Sequence, residues 1–484
     1  MSFLSPQFFL FFPAVVLGYF ILPQKGRNLW LLAASWFFYL CAGPAYFAYL
    51  LCALVLTYAG ARWMEGRTGG ARKGILIGLL AALFGTLFLF KYLDFAFGML
   101  GRVLGGVGLS FQSPALDLIL PAGISFYLFM AAGYLLDVYR GDRGAERDFV
   151  VYALFLSFFP YLLSGPIGRA GGLMPQFRER HSFDYDRLRS GLLRFLWGAF
   201  KKLVIADRLG ILVSTVYAAP EQFGRLQVMA AAVAFSIQIY CDFSAYSDMA
   251  LGAAEVMGFQ LMENFRTPYF SRSIGEFWRR WHISLSSWFR DYLYIPLGGS
   301  RKGLGRKYLN ILIVFAVSGL WHGAALTFVA WGLLNGVYQV IGGVTAGVRA
   351  KCRKLCRLGD DSRVTVLWQV LVTFLLSTAA WVFFKGGSFT HSLLIFRSMV
   401  TGPWLTHPVT AWGLDRPELV VAALAVLVLL AVDLLSLKGG LRRRILDLPR
   451  PVRWVLALGL LLVVLVFGVY GTGYDATDFI YFKF

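Results

Sequence analysis

Charge is scarce in this chain: 15% of its 484 residues are Asp, Glu, Lys or Arg, and Asp and Glu together number 26. A water-soluble domain needs a charged surface. With 58% hydrophobic residues and a mean hydropathy of +0.65, that class is excluded. Cysteine is as sparse, and the five present (Cys41, Cys52, Cys241, Cys352, Cys356) show neither metal-ligand spacing nor a disulfide framework. Cys352 and Cys356, one helical turn apart in a basic stretch, read as an ordinary reduced pair. No Gly-x-Ser-x-Gly nucleophile motif and no metal cluster is evident, so no metal is expected. Internal repeats, Pro- or Ser-rich linkers and soluble appendages are also missing, which makes one membrane domain over residues 1–484 the economical expectation.

What the chain does have is long apolar runs. Segments able to cross a hydrocarbon core of about 30 Å fall near residues 7–23, 28–43, 44–61, 74–99, 115–139, 190–216, 226–256, 308–344, 364–386, 417–437 and 452–472. The shorter run 149–163 has re-entrant length. The 308–344 run is too long for one span and is broken around Gly319 to Gly323, so it reads as two passes or as a pass plus a re-entrant limb. The expectation is an all-α polytopic protein with about 11–13 membrane helices, re-entrant and interfacial segments included. The first apolar run has no basic region before it and is expected to stay as the first helix.

The formal charge of +20 sits in short clusters between these runs. That pattern is topology signal, so nucleic acid is not expected as a partner. Lys25/Arg27, Arg62 to Lys73, Arg140 to Arg147, Arg349 to Arg363 and Lys438 to Arg453 are placed in the cytoplasm, which puts both termini outside.

One histidine stands out. His322, in Ser318-Gly319-Leu320-Trp321-His322-Gly323-Ala324, lies inside the apolar run between the basic stretches Arg301 to Lys307 and Arg349. An ionisable group within a membrane segment is costly and reads as functional, so His322 is the candidate catalytic centre, with the break beside it deep or toward the outer face. Trp321 and Ser318 are candidate supporting residues. The segment Ile274 to Tyr292 holds a second candidate, His282. At helical spacing Phe277, Trp281, Leu285 and Trp288 share one face, which suggests an interfacial amphipathic helix at the cytoplasmic boundary. Arg279, Arg280 and Arg290 in this segment suit phosphate, because guanidinium forks bind it bidentately. Asp291 reads as a partner of Arg290. Lys201 and Lys202 are expected to snorkel at an interface, and Asp242 and Asp248 to orient neighbouring helices.

WRRWHISLSSWFRDYLYIPLGGS (Trp278 to Ser300) and SGLWHGA (Ser318 to Ala324) together resemble the membrane-bound O-acyltransferase family, in its AlgI-like bacterial polysaccharide O-acetylation branch. Further pieces agree in order: Leu120 to Gly141, Phe158 to Arg169, Gly198 to Leu209, Gln238 to Gly252, Glu263 to Trp278, Trp381 to Lys385 and the terminal FIYFKF (Phe479 to Phe484). The core motifs occupy about 115–345. Tyr292 to Gly299 is similar to this branch rather than to the one that handles D-alanine on teichoic acids. Tyr161, Met130-Ala131 and Cys241 depart from the branch's usual residues.

The resemblance implies a fold with a central funnel or tunnel and an acyl transfer, of acetyl in this branch, from a cytosolic thioester to a hydroxyl. His322 maps to the family's buried histidine, as general base or as acyl carrier, and His282 to the second, nearer the cytoplasmic mouth. It further implies an acetyl-CoA-like donor, no bound cofactor, a polysaccharide acceptor, a separate extracytoplasmic SGNH-type acetyltransferase as partner, and the bacterial cytoplasmic membrane as location. D-alanyl transfer is the alternative chemistry. A transporter would show repeated halves with paired broken helices, which are not found, and a non-catalytic scaffold would make both histidines dispensable.

Overall fold

The computed structural model describes residues 1–111, 120–470 and 479–480. Residues 115–119 of one expected span, the last two residues of the final one and most of the terminal motif lie outside them. Every regular element among the described residues is helical. The expectation of an all-α protein therefore holds, for the reason the composition suggested: apolar backbone in lipid must satisfy its own hydrogen bonds, and a helix does so within one segment.

Among the described residues, eight helices are long and apolar enough to cross a membrane: Pro44–Glu65, Gly69–Lys91, Arg225–Met257, Gly303–His322, Leu326–Val344, Arg363–Lys385, Arg416–Ser436 and Arg450–Phe467. Shorter helices such as Pro6–Ile21, Gln24–Leu40 and Ile124–Arg140 account for further expected segments. The run at 149–163 forms the helix Phe149–Ser157 followed by buried turns. Asp148 caps that helix by accepting from the backbone N–H of Val150 at 2.8 Å.

The chain forms two compact units. One holds residues 1–192, 249–262 and 475–484, the other residues 193–248 and 263–474, and both candidate histidines belong to the second. In the first unit, Arg27 donates to the carbonyl of His181 at 2.6 Å, and the hydroxyls of Thr57 and Tyr152 meet at 2.5 Å, so these buried polar groups are satisfied by long-range partners.

In the second unit, the 308–344 run is two helices, Gly303–His322 and Leu326–Val344, separated by Gly323–Ala325. The two-pass reading is the one the structure takes, with the break a few residues later than Gly319. Small residues let these helices approach closely. A Cβ at Gly332 would collide with the carbonyl oxygen of Phe315, and one at Gly319 with that of Phe328. Such contacts replace the hydrophobic drive that lipid cannot supply between helices.

The single amphipathic helix expected from Ile274 onward does not form. Instead there are two short helices, Ile274–Arg280 and Ile283–Phe289, hinged at His282, whose backbone is left-handed at φ 43° and ψ 54°. Helical spacing could not reveal a left-handed residue in mid-pattern. The Trp281 and His282 side chains are fully buried, so this segment is interior rather than a surface anchor.

Lys201 and Lys202 also differ from expectation. Both are buried, in a π-helical stretch Lys201–Ala206, and do not snorkel. Lys201 donates to Asp248 at 2.7 Å and to Ser244 at 2.6 Å, and Lys202 to Asp242 at 2.8 Å. Asp242 and Asp248 thus tie Arg225–Met257 to the π-helical stretch, as their reading as helix-orienting residues anticipated.

Candidate active site

His322 is the last residue of Gly303–His322. That helix begins within the basic stretch Arg301 to Lys307 and spans 20 residues, which carries the imidazole about 23 Å along the axis from Arg306 and Lys307. The ring is buried and caged by aromatics, with centroids 4.9 Å from Trp321, 4.7 Å from Trp331 and 5.7 Å from Phe384. Its Nδ1 lies 2.7 Å from the carbonyl oxygen of Ser318, one turn back. A carbonyl only accepts, so Nδ1 carries a proton, and in the neutral ring Nε2 is the lone-pair nitrogen. Ser318 contributes its main chain to this contact.

His282 is arranged in the same way by different means. Its Nδ1 is 3.1 Å from Asn264 Oδ1, an oxygen that also accepts from the backbone N–H of Ser284 at 3.2 Å and its hydroxyl at 2.9 Å. The backbone donor fixes that atom as the amide oxygen. Nδ1 of His282 is therefore the donor, and Nε2 again carries the lone pair. Asn264 in turn donates to Ser247 at 3.2 Å. Left-handed backbone costs a non-glycine residue of order 1–3 kcal/mol, and such outliers cluster where geometry matters.

The two histidines are neighbours, with Trp321 between: its ring centroid lies 5.9 Å from that of His282 and 4.9 Å from that of His322. Sequence reasoning placed them at opposite ends of a path. Burial, with a smaller contribution from His322, holds the His282 pKa well below 6.5. The sign is then set: a depressed pKa gives stability that is present above the unfolded-state value near 6.5 and is lost as pH falls below it. The melting temperature in detergent is expected to fall between about pH 6.5 and 5, and His282→Gln to flatten that fall; equal acid slopes would contradict the assignment.

Beside His282 lies a cavity of about 870 Å³ lined in part by Asn264, Tyr240, Asp433, Arg266, Arg279 and Arg280. Asn264 thus touches both the cavity and the His282 ring. From Tyr240 a line of buried rings leads inward through Trp281, Trp381 and Trp331 to His322, with centroid steps of 6.2, 4.9, 5.4 and 4.7 Å.

Among the sequence candidates, the structure brings His282, His322 and Trp321 together and puts Arg279 and Arg280 on the cavity wall. Arg280 is paired with Glu276 at 2.6 Å. Arg290 is not among the lining residues; it is largely exposed and donates to Asp291 at 2.8 Å. Sequence reasoning missed Asn264, Trp331 and Trp381. Asn264 and Trp381 lay in quoted motifs, but a partner 18 residues from a left-handed histidine leaves no periodic signal.

Fold and site define a multi-pass membrane protein with a pair of buried histidines, each held through Nδ1, in an apolar interior. The model of the MBOAT, membrane-bound O-acyltransferase, family matches residues 143–386, which include both histidines. The chain is 37% identical over 433 residues to "Probable alginate O-acetylase AlgI" of Pseudomonas putida, covering 86% of this chain and 84% of that one. It is 34% identical over 432 residues to "Peptidoglycan O-acetyltransferase" of Helicobacter pylori, covering 82% and 79%. Similarity to "Teichoic acid D-alanyltransferase" of Bacillus subtilis is weaker, 25% over 290 residues, covering 57% and 72%. The chain belongs to the membrane-bound O-acyltransferase family. Within it, the chain is similar to the bacterial enzymes that O-acetylate polysaccharides.

Proposed function

We propose that this chain takes an acetyl group from a cytosolic acetyl-CoA-like thioester and delivers it to a hydroxyl at the opposite membrane face, for O-acetylation of an extracellular or cell-wall polysaccharide. The observation that carries this reading is the hydrogen bond from His322 Nδ1 to the Ser318 carbonyl, which leaves Nε2 as base in an apolar cage. A neutral imidazole suits a neutral hydroxyl: it removes the proton as the oxygen attacks the thioester carbonyl, a contribution of about 10²- to 10⁴-fold. The C–S bond breaks, the thiolate takes the proton back from the imidazolium, and the histidine returns to its starting state.

His282, through its Asn264 anchor, orients the thioester arm where the cavity meets the aromatic line. Arg279 and Arg280 meet the donor's phosphates at the cavity, whereas Arg290 and Asp291 form a surface pair with no part in chemistry. Basic connections such as Lys438 to Arg453 face the cytosol of a bacterial cytoplasmic membrane. An extracytoplasmic SGNH-type acetyltransferase completes the transfer to polymer. Support for the acceptor class comes from the relatives named for alginate and peptidoglycan.

Mass spectrometry of envelope and secreted polysaccharides, with and without the gene, checks this reading. One polymer is expected to lose its acetyl esters. Loss of D-alanyl esters instead would transfer the chain to the teichoic-acid chemistry, and unchanged esters throughout would remove the function.

A further inference from the structure

The cavity is built from two parts of the chain. One wall comes from residues 193–280; the other, including Asp433, Leu437, Arg442, Leu456 and Leu460, comes from helices beyond the 143–386 segment matched by the family model. Its lining is graded. Arg266, Arg279 and Arg442 are exposed, whereas Asn264, Tyr240 and Asp433 are buried. Guanidinium groups therefore mark the mouth, and the floor is the end that abuts His282. At that floor Asp433 accepts from the Tyr240 hydroxyl at 2.9 Å. Deeper in the lining the buried ammonium of Lys201 is already paired with Asp248 at 2.7 Å, whereas the exposed guanidinium groups at the mouth attract phosphate, so an elongated ligand with an anionic end is oriented with that end outward.

We propose that Arg442 and Arg266 form a phosphate clamp across the cavity mouth that makes this enzyme select a nucleotide-bearing thioester over a protein-borne one. The proposal rests on the donor reading above and deepens it. A coenzyme A thioester carries a diphosphate and a ribose phosphate, whereas a carrier-borne thioester carries a single phosphodiester. Three guanidinium groups at one mouth match the more heavily charged donor. Arg442 also belongs to the basic connection Lys438 to Arg453, the side on which a cytosolic donor arrives.

The test uses the full chain in proteoliposomes of neutral lipid with an acceptor hydroxyl supplied, and reads initial rates of thiol release from acetyl-CoA and from phosphate-free acetyl-pantetheine. Arg442→Gln and Arg266→Gln are each expected to raise KM for acetyl-CoA roughly tenfold with little change in kcat, and to leave KM for acetyl-pantetheine unchanged. Arg442→Lys recovers part of the loss. Equal shifts for both donors, or none, overturn the clamp. Restoration of Arg442→Gln by added phosphatidylglycerol also overturns it, because the arginine would then be serving a lipid phosphate. Wild-type protein that releases no thiol from acetyl-CoA would instead remove the donor reading itself.

Discussion

His322→Ala is expected to lower acyl transfer by about 10²- to 10⁴-fold while the protein remains in the membrane at its normal level. The magnitude follows from the site: a hydroxyl is a poor nucleophile when neutral, and the ring nitrogen that accepts its proton is placed by one hydrogen bond, from Nδ1 to the Ser318 carbonyl at 2.7 Å. His322→Gln keeps more of the side-chain volume within the cage of Trp321, Trp331 and Phe384, so it separates chemistry from packing. It should be as inactive as the alanine variant. Ser318→Ala provides the contrast. The contact uses the main-chain oxygen, so this variant should keep most of its activity. Polymer ester content per unit of membrane protein reads all three. Near-normal esters in both His322 variants would reduce the histidine to a packing residue.

Asp248→Ala is expected to destabilise the protein by about 3–5 kcal/mol, the largest loss of stability among the changes considered. Asp248 accepts from Arg194 Nε at 2.9 Å and from Lys201 Nζ at 2.7 Å. Arg194 keeps a second anion, because its fork also reaches both oxygens of Glu263 at 2.8 and 2.6 Å. Lys201 keeps no paired carboxylate: it would retain the Ser244 hydroxyl at 2.6 Å and only the more distant Asp433, with its side chain 3% exposed. An uncompensated ammonium at that depth is the main cost. The melting temperature in detergent should drop by several degrees, and Asp248→Ala with Lys201→Met should recover much of it, since an apolar pair can replace a buried ion pair. If the single variant melts with the wild type, the network is not a structural support. If the double variant is no better than the single, the buried charge is not the cause.

The all-α membrane architecture was legible because lipid imposes one rule, and the apolar runs follow it. His322 was legible as an ionisable residue in such a run, and Gly319 to Gly323 marked the break between two helices to within a few residues. The rest depended on geometry that has no period. A left-handed His282 converts an apparent amphipathic surface helix into an interior hinge and brings that histidine beside Trp321. The supports are long-range as well: Asn264 reaches His282 across that hinge, and Lys201 reaches Asp248 from a π-helical stretch. Lysines beside apolar runs usually snorkel, and only the opposing carboxylates reveal that these two are held inside. Arg290 is different: it forms with Asp291 the pair that the sequence suggested.

The measurement that bears most closely on the account is thiol release from acetyl-CoA by purified protein in proteoliposomes, with an acceptor hydroxyl supplied, comparing wild type with His322→Gln. The account predicts acceptor-dependent release by the wild type and a fall of at least about 10²-fold in the variant, with both proteins showing the same melting temperature. Undiminished release by a well-folded His322→Gln protein would contradict it.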